Sequence, residues 1–151
     1  MRTKSSRSRI PGWIRFFNPL VKLLMAAGVP MGPDVLLTVR GRRTGLPRTT
    51  PVAIAEIAGH EWLLSPFGNV DWARNLRAAR HATIRSGRRR YEIDATPLGR
   101  DDRIAFFRDV LEPYLQAHAA VGWIVRRVDR IPDDPVAAAD ACDVFQVTRT
   151  A

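Results

Sequence analysis

Arg40, Arg42, Arg43 and Arg48 fall within nine residues of the segment LLTVRGRRTGLPRTTP, and no carboxylate stands among them. A guanidinium offers a planar fork of donors and stays charged at physiological pH. Four of them at this spacing can grip an anion such as a phosphate or a carboxylate through charge-assisted hydrogen bonds. The same spacing suits a solvated basic hairpin tip, and the segment alone leaves both readings open. Gly41 and Gly45 permit positive φ and close backbone approach, while Pro47 fixes φ. One apolar run ends at Arg40 and another spans residues 52–57, so the glycines and the proline read as a turn between two strands.

The other reactive residue types form no familiar catalytic pattern. His60, His81 and His118 are far apart, without HxxxH or HExxH spacing, which argues against a metal site. Ser65 lies in LLSPF rather than in a G-x-S-x-G elbow. No GxGxxG segment or Walker lysine loop is present. Asp101 and Asp102 suit a helix cap, and Asp133 and Asp134 a turn. No residue is assigned a catalytic role.

The elements that must position the arginines follow from periodicity. Residues 35–39, 50–57 and 61–66 read as three strands of an antiparallel meander. Asp71 suits the N-cap of a short helix over 72–79, with Trp72, Leu76 and Ala79 inward and Arg74, Arg77 and Arg80 outward. Residues 81–85 and 90–97 alternate as a hairpin, with Ser86 and Gly87 at its turn and Ala82, Ile84, Tyr91, Ile93 and Ala95 on its apolar face. Arg88, Arg89 and Arg90 form a further basic run, read as a solvated hairpin tip. A helix opens at Asp101 or Asp102, carries a stripe of Ile104, Phe107, Val110, Leu111 and Leu115, and breaks or bends at Pro113. Residues 125–131 are expected to be short and irregular, with PDDP as a loop, and 143–148 form a last strand. The expected fold is α+β: a split β-barrel of about six mostly antiparallel strands with flanking helices.

Length and charge bound the partners. The 151 residues allow one core-bearing domain, and 46% hydrophobic content fits a globular chain. The net charge of +9 is carried entirely by residues 1–48, where ten basic residues face one acid. That imbalance points to an anionic partner: a phosphorylated ligand, a membrane surface or nucleic acid. Cys142 is alone, which excludes an internal disulfide and suits a reducing cytosol. Residues 1–28 are expected to form a basic tail and an amphipathic helix, and 29–151 a coenzyme-binding barrel. The stretch IPGWIRFFNPLVKLLMAAG is interrupted by Pro11, Arg15, Pro19 and Lys22, so it is neither a clean signal peptide nor a membrane span. Trp13, Phe16 and Phe17 on this basic background also fit a peripheral contact with an anionic membrane. Nucleic acid is disfavoured, because aromatic residues are not interleaved with the basic ones.

Anion binding without an acid–base centre fits cofactor-borne hydride transfer, in which the cofactor does the chemistry and the protein positions it. Two motifs sharpen this. GRRTGLPRTTPV, and then SPFGNVDWARNLRAARHATIRSGRRRYEIDATPL, resemble the deazaflavin (F420)-dependent nitroreductase and quinone reductase family of actinobacteria. The resemblance is good over residues 35–98 and holds in outline elsewhere. It implies a split barrel that uses the reduced coenzyme F420 to pass a hydride to an electron-poor acceptor such as a quinone or nitro compound. By resemblance, Arg42, Arg43 and Thr44 hold the coenzyme's phosphate and acidic tail. Arg48, Thr49, Thr50, Pro51, Val52 and Ala53 line the phosphate and ring. Leu63, Leu64, Ser65 and Pro66 approach the ring, and Asp71, Trp72, Ala73, Arg74 and Asn75 complete the site. Family members of nitroreductase type carry several tyrosines after the barrel, whereas this chain has only Tyr114 there, followed by LQAH. Tyr114 and Trp123 are therefore the candidate substrate residues. FMN is the alternative cofactor, since the same arginines could hold its phosphate. A non-enzymatic membrane-associated module is the alternative function.

Overall fold

The computed structural model describes residues 34–119 and 130–150. The expectations for residues 1–28, including the tail, the amphipathic helix and the membrane contact, lie outside the described residues, as does Trp123. Six strands close into a barrel in the order β1-β2-β3-β6-β5-β4, and every neighbouring pair is antiparallel. They are β1 (Asp34–Arg40), β2 (Pro47–Ile57), β3 (His60–Ser65), β4 (His81–Ser86), β5 (Arg89–Pro97) and β6 (Asp143–Arg149). Closure leaves no sheet edge to be covered. The split-barrel expectation holds.

Strand alternation divides the molecule into two apolar clusters. Val35, Leu37, Val39, Val52, Leu63, Ile84, Ile93, Phe145 and Val147 fill the barrel. Helix α1 (Asp71–Ala79) closes one end of it, adding Ala73 and Leu76, with Val70 and Trp72 packed beside them. Ile57, Trp62 and Val144 point the other way, under a helical layer that supplies Phe106, Phe107, Leu111, Leu115, Ala138 and Ala139.

Several local expectations are corrected. β2 begins at Pro47 rather than Thr50, because β1 runs on to Arg40 and pairs it with Pro47. A proline is tolerated as the first residue of a strand, where no ladder donor is needed. The N-cap of α1 is Val70, without a side-chain cap bond, and Asp71 is the first helical residue. Ala79 is exposed, and Asn75 is buried in its place. Gly99, rather than Asp101 or Asp102, caps α2 (Arg100–Ala105), and both aspartates sit in its first turn. There they complement the helix dipole.

The helix then widens into a π-helical segment, Phe106–Leu111, before α3 (Glu112–Ala117). Pro113 supplies the physical reason for a break: it has no N–H to donate, and its ring crowds the preceding turn. The extra residue per turn places the adjacent Phe106 and Phe107 both inside, which a regular helical stripe does not anticipate. Residues 136–141, to which the sequence pattern assigned no element, form helix α4 (Pro135–Ala141) with the last residue of the PDDP loop. Pro135 sits in its first turn, and the Asp134 carboxylate accepts from Ala137 N at 2.9 Å, so this aspartate is a cap rather than only a turn residue.

Candidate functional site

The β1–β2 turn is built by its own backbone. Gly41 N donates to Leu46 O at 2.8 Å and Gly45 N to Gly41 O at 2.9 Å. The Thr44 hydroxyl accepts from Leu46 N at 3.3 Å. Gly45 adopts φ +70°, and a Cβ there would stand 3.4 Å from the Arg40 guanidinium. A Cβ on Gly41 would meet Leu46 O and the Thr44 hydroxyl at 3.1 Å, so glycine is what keeps this turn tight.

β2 leads away from the turn and β3 returns, so Ser65, where β3 ends, comes back to the same end of the barrel. Ser65 is fully buried, and its Oγ donates to Gly68 O at 2.5 Å, while Gly68 N donates to Ser65 O at 3.1 Å. This closes the chain into a short loop that delivers α1. Two ties then fix the helix. At its middle, Arg42 donates from its backbone N to Asn75 Oδ1 at 3.1 Å and from Nη1 to the same oxygen at 2.8 Å. Arg42 Nη2 also reaches Asp71 Oδ1 at 3.4 Å. Towards its end, Arg77 pairs with Asp143 at the start of β6, at 2.8 Å.

The two motifs found in the sequence, more than thirty residues apart, thus meet through Arg42 and Asn75. Among the described residues, the side chains of Arg43 and Arg48 have no hydrogen bond or ion pair, and both residues are exposed. The N-terminus of α1 beside them has no side-chain cap. Unpaired N–H groups and the helix dipole favour an anion there.

The remaining candidates divide by the face they occupy. Thr44, Ala53, Asp71 and Arg74 are exposed, while Thr50, Pro51, Pro66 and Trp72 are half-buried. Thr49 is half-buried as well, and its Oγ1 lies 2.8 Å from Thr38 Oγ1 across the β1–β2 ladder. The side chains of Val52, Leu63 and Ala73 belong to the barrel core, so a ligand outside it could reach these residues only at their backbones. The Trp72 ring lies 6.2 Å from that of Phe145 and packs against the same core. Leu64 faces the helical layer. Tyr114 is in that layer too, half-buried and stacked on His118 at 4.3 Å. The structure therefore gathers Arg42, Arg43, Thr44, Arg48, Asp71 and Asn75 around the turn, and places Tyr114 in a different cluster. No group of three or more His, Cys, Asp or Glu among the described residues could hold a metal ion.

A closed antiparallel barrel of six strands, with an arginine-bearing turn tied to a helix, defines the split-barrel class of fold. The comparisons with known proteins agree. The haem storage protein HutZ from Vibrio cholerae superposes with a TM-score of 0.51 at 15% identity, covering 88% of this chain and 89% of that one. A putative pyridoxamine 5′-phosphate oxidase from Listeria innocua gives 0.50 at 11% identity, covering 87% and 94%. An F420-H2 dependent reductase aligns at 19% identity over 77% of this chain and 94% of that one, with a TM-score of 0.48. At these identities, likeness with HutZ and the putative oxidase speaks for the fold. No curated protein matches the chain. The family model of F420H(2)-dependent quinone reductase matches residues 20–123, well over half the sequence. The chain belongs to that family, and F420 is the coenzyme the family implies.

The residues present fit such a coenzyme. It carries a phosphodiester and a carboxylate-bearing tail, and the turn offers two guanidiniums without partners among the described residues beside an uncapped helix N-terminus. What sequence reasoning missed is that Arg42 is already engaged. Spacing gives no sign of this, because its partners lie on another element.

Proposed function

We propose that the protein is an F420H2-dependent reductase that passes a hydride to an electron-poor acceptor such as a quinone or a nitro compound. The observation that carries this reading is the pair of partner-free arginines, Arg43 and Arg48, on a turn clamped to the uncapped start of α1. When bound, the reduced coenzyme supplies the hydride from C5 of its deazaflavin ring. The protein's part is to bind, orient and exclude water. Arg43 and Arg48 hold the phosphate and the acidic tail, with Thr44 at the turn. Thr49, Thr50, Pro51, Val52 and Ala53 present strand β2 along the phosphate and ring. Leu63, Leu64, Ser65 and Pro66, together with Trp72, Ala73 and Arg74, border the ring from the β3–α1 side. The reduced acceptor takes its proton from solvent, and Tyr114, in the helical layer, is kept as the candidate for the substrate side.

The basic residues 1–28 give the enzyme a peripheral contact with an anionic membrane at the cytoplasmic face. Among the described residues, no helix is long and apolar enough to cross a membrane.

Titration with F420 and, separately, with FMN tests the coenzyme. Saturable binding of F420 at tens of micromolar or tighter, about 6–7 kcal/mol of affinity, is expected, with weaker binding of FMN. Tighter binding of FMN would reassign the cofactor, and absence of both would overturn the proposal. Oxidation of the reduced coenzyme by a soluble quinone and by a nitroaromatic, followed in parallel, then ranks the acceptors.

A further inference from the structure

Resting on the coenzyme reading above, the geometry points to Arg42 and Asn75 as a latch that positions the coenzyme site rather than as ligands within it. Arg42 carries the same charge as Arg43 and belongs to the same turn, yet it is committed elsewhere. Its backbone N–H and Nη1 both end on Asn75 Oδ1, and Nη2 reaches Asp71. A guanidinium whose fork is spent on two protein groups has fewer donors to offer an incoming phosphate.

Asn75 is the other half of the device. It is one of the two buried polar residues among those described, and it sits midway along α1 between Ala73 and Leu76, which are packed in the barrel. Two donors from Arg42 converge on its carbonyl oxygen, which fixes which way the amide points. Because one of those donors is backbone, the bond registers the turn itself, and not only a flexible side chain, against α1. Asp71 adds an electrostatic reason for the latch. An uncompensated carboxylate in the first turn would repel an anion from the helix N-terminus, and the Arg42 guanidinium offsets it. The latch holds Arg43 and Arg48 on one side and the α1 N–H groups on the other at a fixed separation, so binding need not order them.

F420 binding by the full chain tests this. Asn75→Ala and Arg42→Ala should each raise the Kd about tenfold, and the double variant should also lose about tenfold rather than a hundredfold, because both remove one shared interaction. Arg43→Ala combined with Asn75→Ala should cost less than the sum of the two, because the latch acts in part through Arg43. Asn75→Asp keeps an acceptor oxygen for Arg42 and should stay within about threefold of the parent. Arg42→Lys keeps charge and fold but loses the fork, and should weaken binding by about three- to tenfold, which serves if the alanine variants fail to fold.

Asn75→Asp binding as weakly as Asn75→Ala at an ionic strength that screens the added carboxylate would make the amide nitrogen a coenzyme donor and overturn the latch. So would parent-like binding by Arg42→Lys, or additive losses in the Arg42 and Asn75 double variant. Failure of the parent protein to bind F420 overturns the coenzyme reading, and the latch's part in it, whatever the variants do.

Discussion

Two arginine-rich turns stand at opposite ends of the barrel. The first joins β1 to β2 and carries Arg42, Arg43 and, just inside β2, Arg48. The second joins β4 to β5 and carries Arg88, Arg89 and Arg90. β4 runs antiparallel to β1, with Thr38 opposite Thr83 and Leu36 opposite Arg85, so the second turn lies beside the start of β1, away from Gly41. In sequence the two are nearly equivalent: a glycine amid four arginines each, Arg40, Arg42, Arg43 and Arg48 at the first and Arg85, Arg88, Arg89 and Arg90 at the second. Among the described residues, only the first is tied to a helix. Gly45 lies against the Arg40 guanidinium, Arg42 ties the turn to α1, and a helix N-terminus adjoins it. Around Gly87, at φ +60°, a Cβ would meet nothing within 4 Å. Charge density attracts an anion to either turn, but fixed donors and dipoles bind one without being reorganised.

The largest expected effect breaks the comparison directly. The Arg43→Ala/Arg48→Ala double variant should raise the Kd for F420 by roughly a hundredfold or more, since charge-assisted hydrogen bonds contribute about 1.5–3 kcal/mol each. Arg88→Ala/Arg89→Ala removes the same formal charge and should change the Kd by less than about twofold, because exposed charges beyond a Debye length are screened. Parallel titrations at one ionic strength decide it. Equal losses in the two variants would mean that net charge, rather than the framed turn, holds the coenzyme.

A smaller effect separates conformation from charge. Gly45→Ala and Gly87→Ala both force a side chain into the left-handed region, at about 1–2 kcal/mol. Thermal melts should show both variants destabilised. Only Gly45→Ala should also weaken F420 binding, by several-fold, because relieving its strained φ shifts the turn that carries the arginines, where its Cβ touches Arg40. An effect on binding from Gly87→Ala would show that the two ends of the barrel communicate.

What the sequence carried, and what it did not, follows the same division. The strands were legible because barrel alternation is a local signal: Ala82 and Ile84 face in, and so do Ile93 and Ala95. Both halves of the site were legible as motifs. Their joint was not, because the bonds from Arg42 to Asn75 link positions 33 apart on different elements. Asp71 looked like a cap from its type and position, but its carboxylate meets Arg42 instead and leaves the cap to Val70. The paired burial of Phe106 and Phe107 was hidden by a π-helical segment, which breaks the period on which stripe reading depends. Helix α4 was missed because only seven residues, four of them alanine, leave almost no amphipathic pattern.

The smallest expected effect concerns the strand that runs between the two turns. His81 opens β4, directly after α1, and its ring bridges two carboxylates: Nδ1 to Asp94 at 3.0 Å and Nε2 to Glu92 at 2.9 Å. Glu92 is held in turn by the Thr83 hydroxyl at 2.9 Å. A neutral imidazole can donate from only one nitrogen, so this arrangement favours the doubly protonated ring. The hydrogen bond to Asp94 is the main cause that raises the His81 pKa above 6.5; desolvation opposes it, and the bond to Glu92 adds to it. A raised folded-state pKa contributes stability that is complete below the unfolded value and fades as pH climbs through the folded one. The melting temperature should therefore decline from about pH 6 towards pH 8 by more in the parent protein than in His81→Gln. With the side chain 53% exposed, the difference should stay within about 2 °C. F420 affinity, compared over the same range, should not follow that difference, because neither framing tie of the first turn involves His81. A coenzyme Kd that tracks the His81 titration would show that the β4–β5 face reaches the site through α1, and the contrast between the two turns would no longer be one of independent ends.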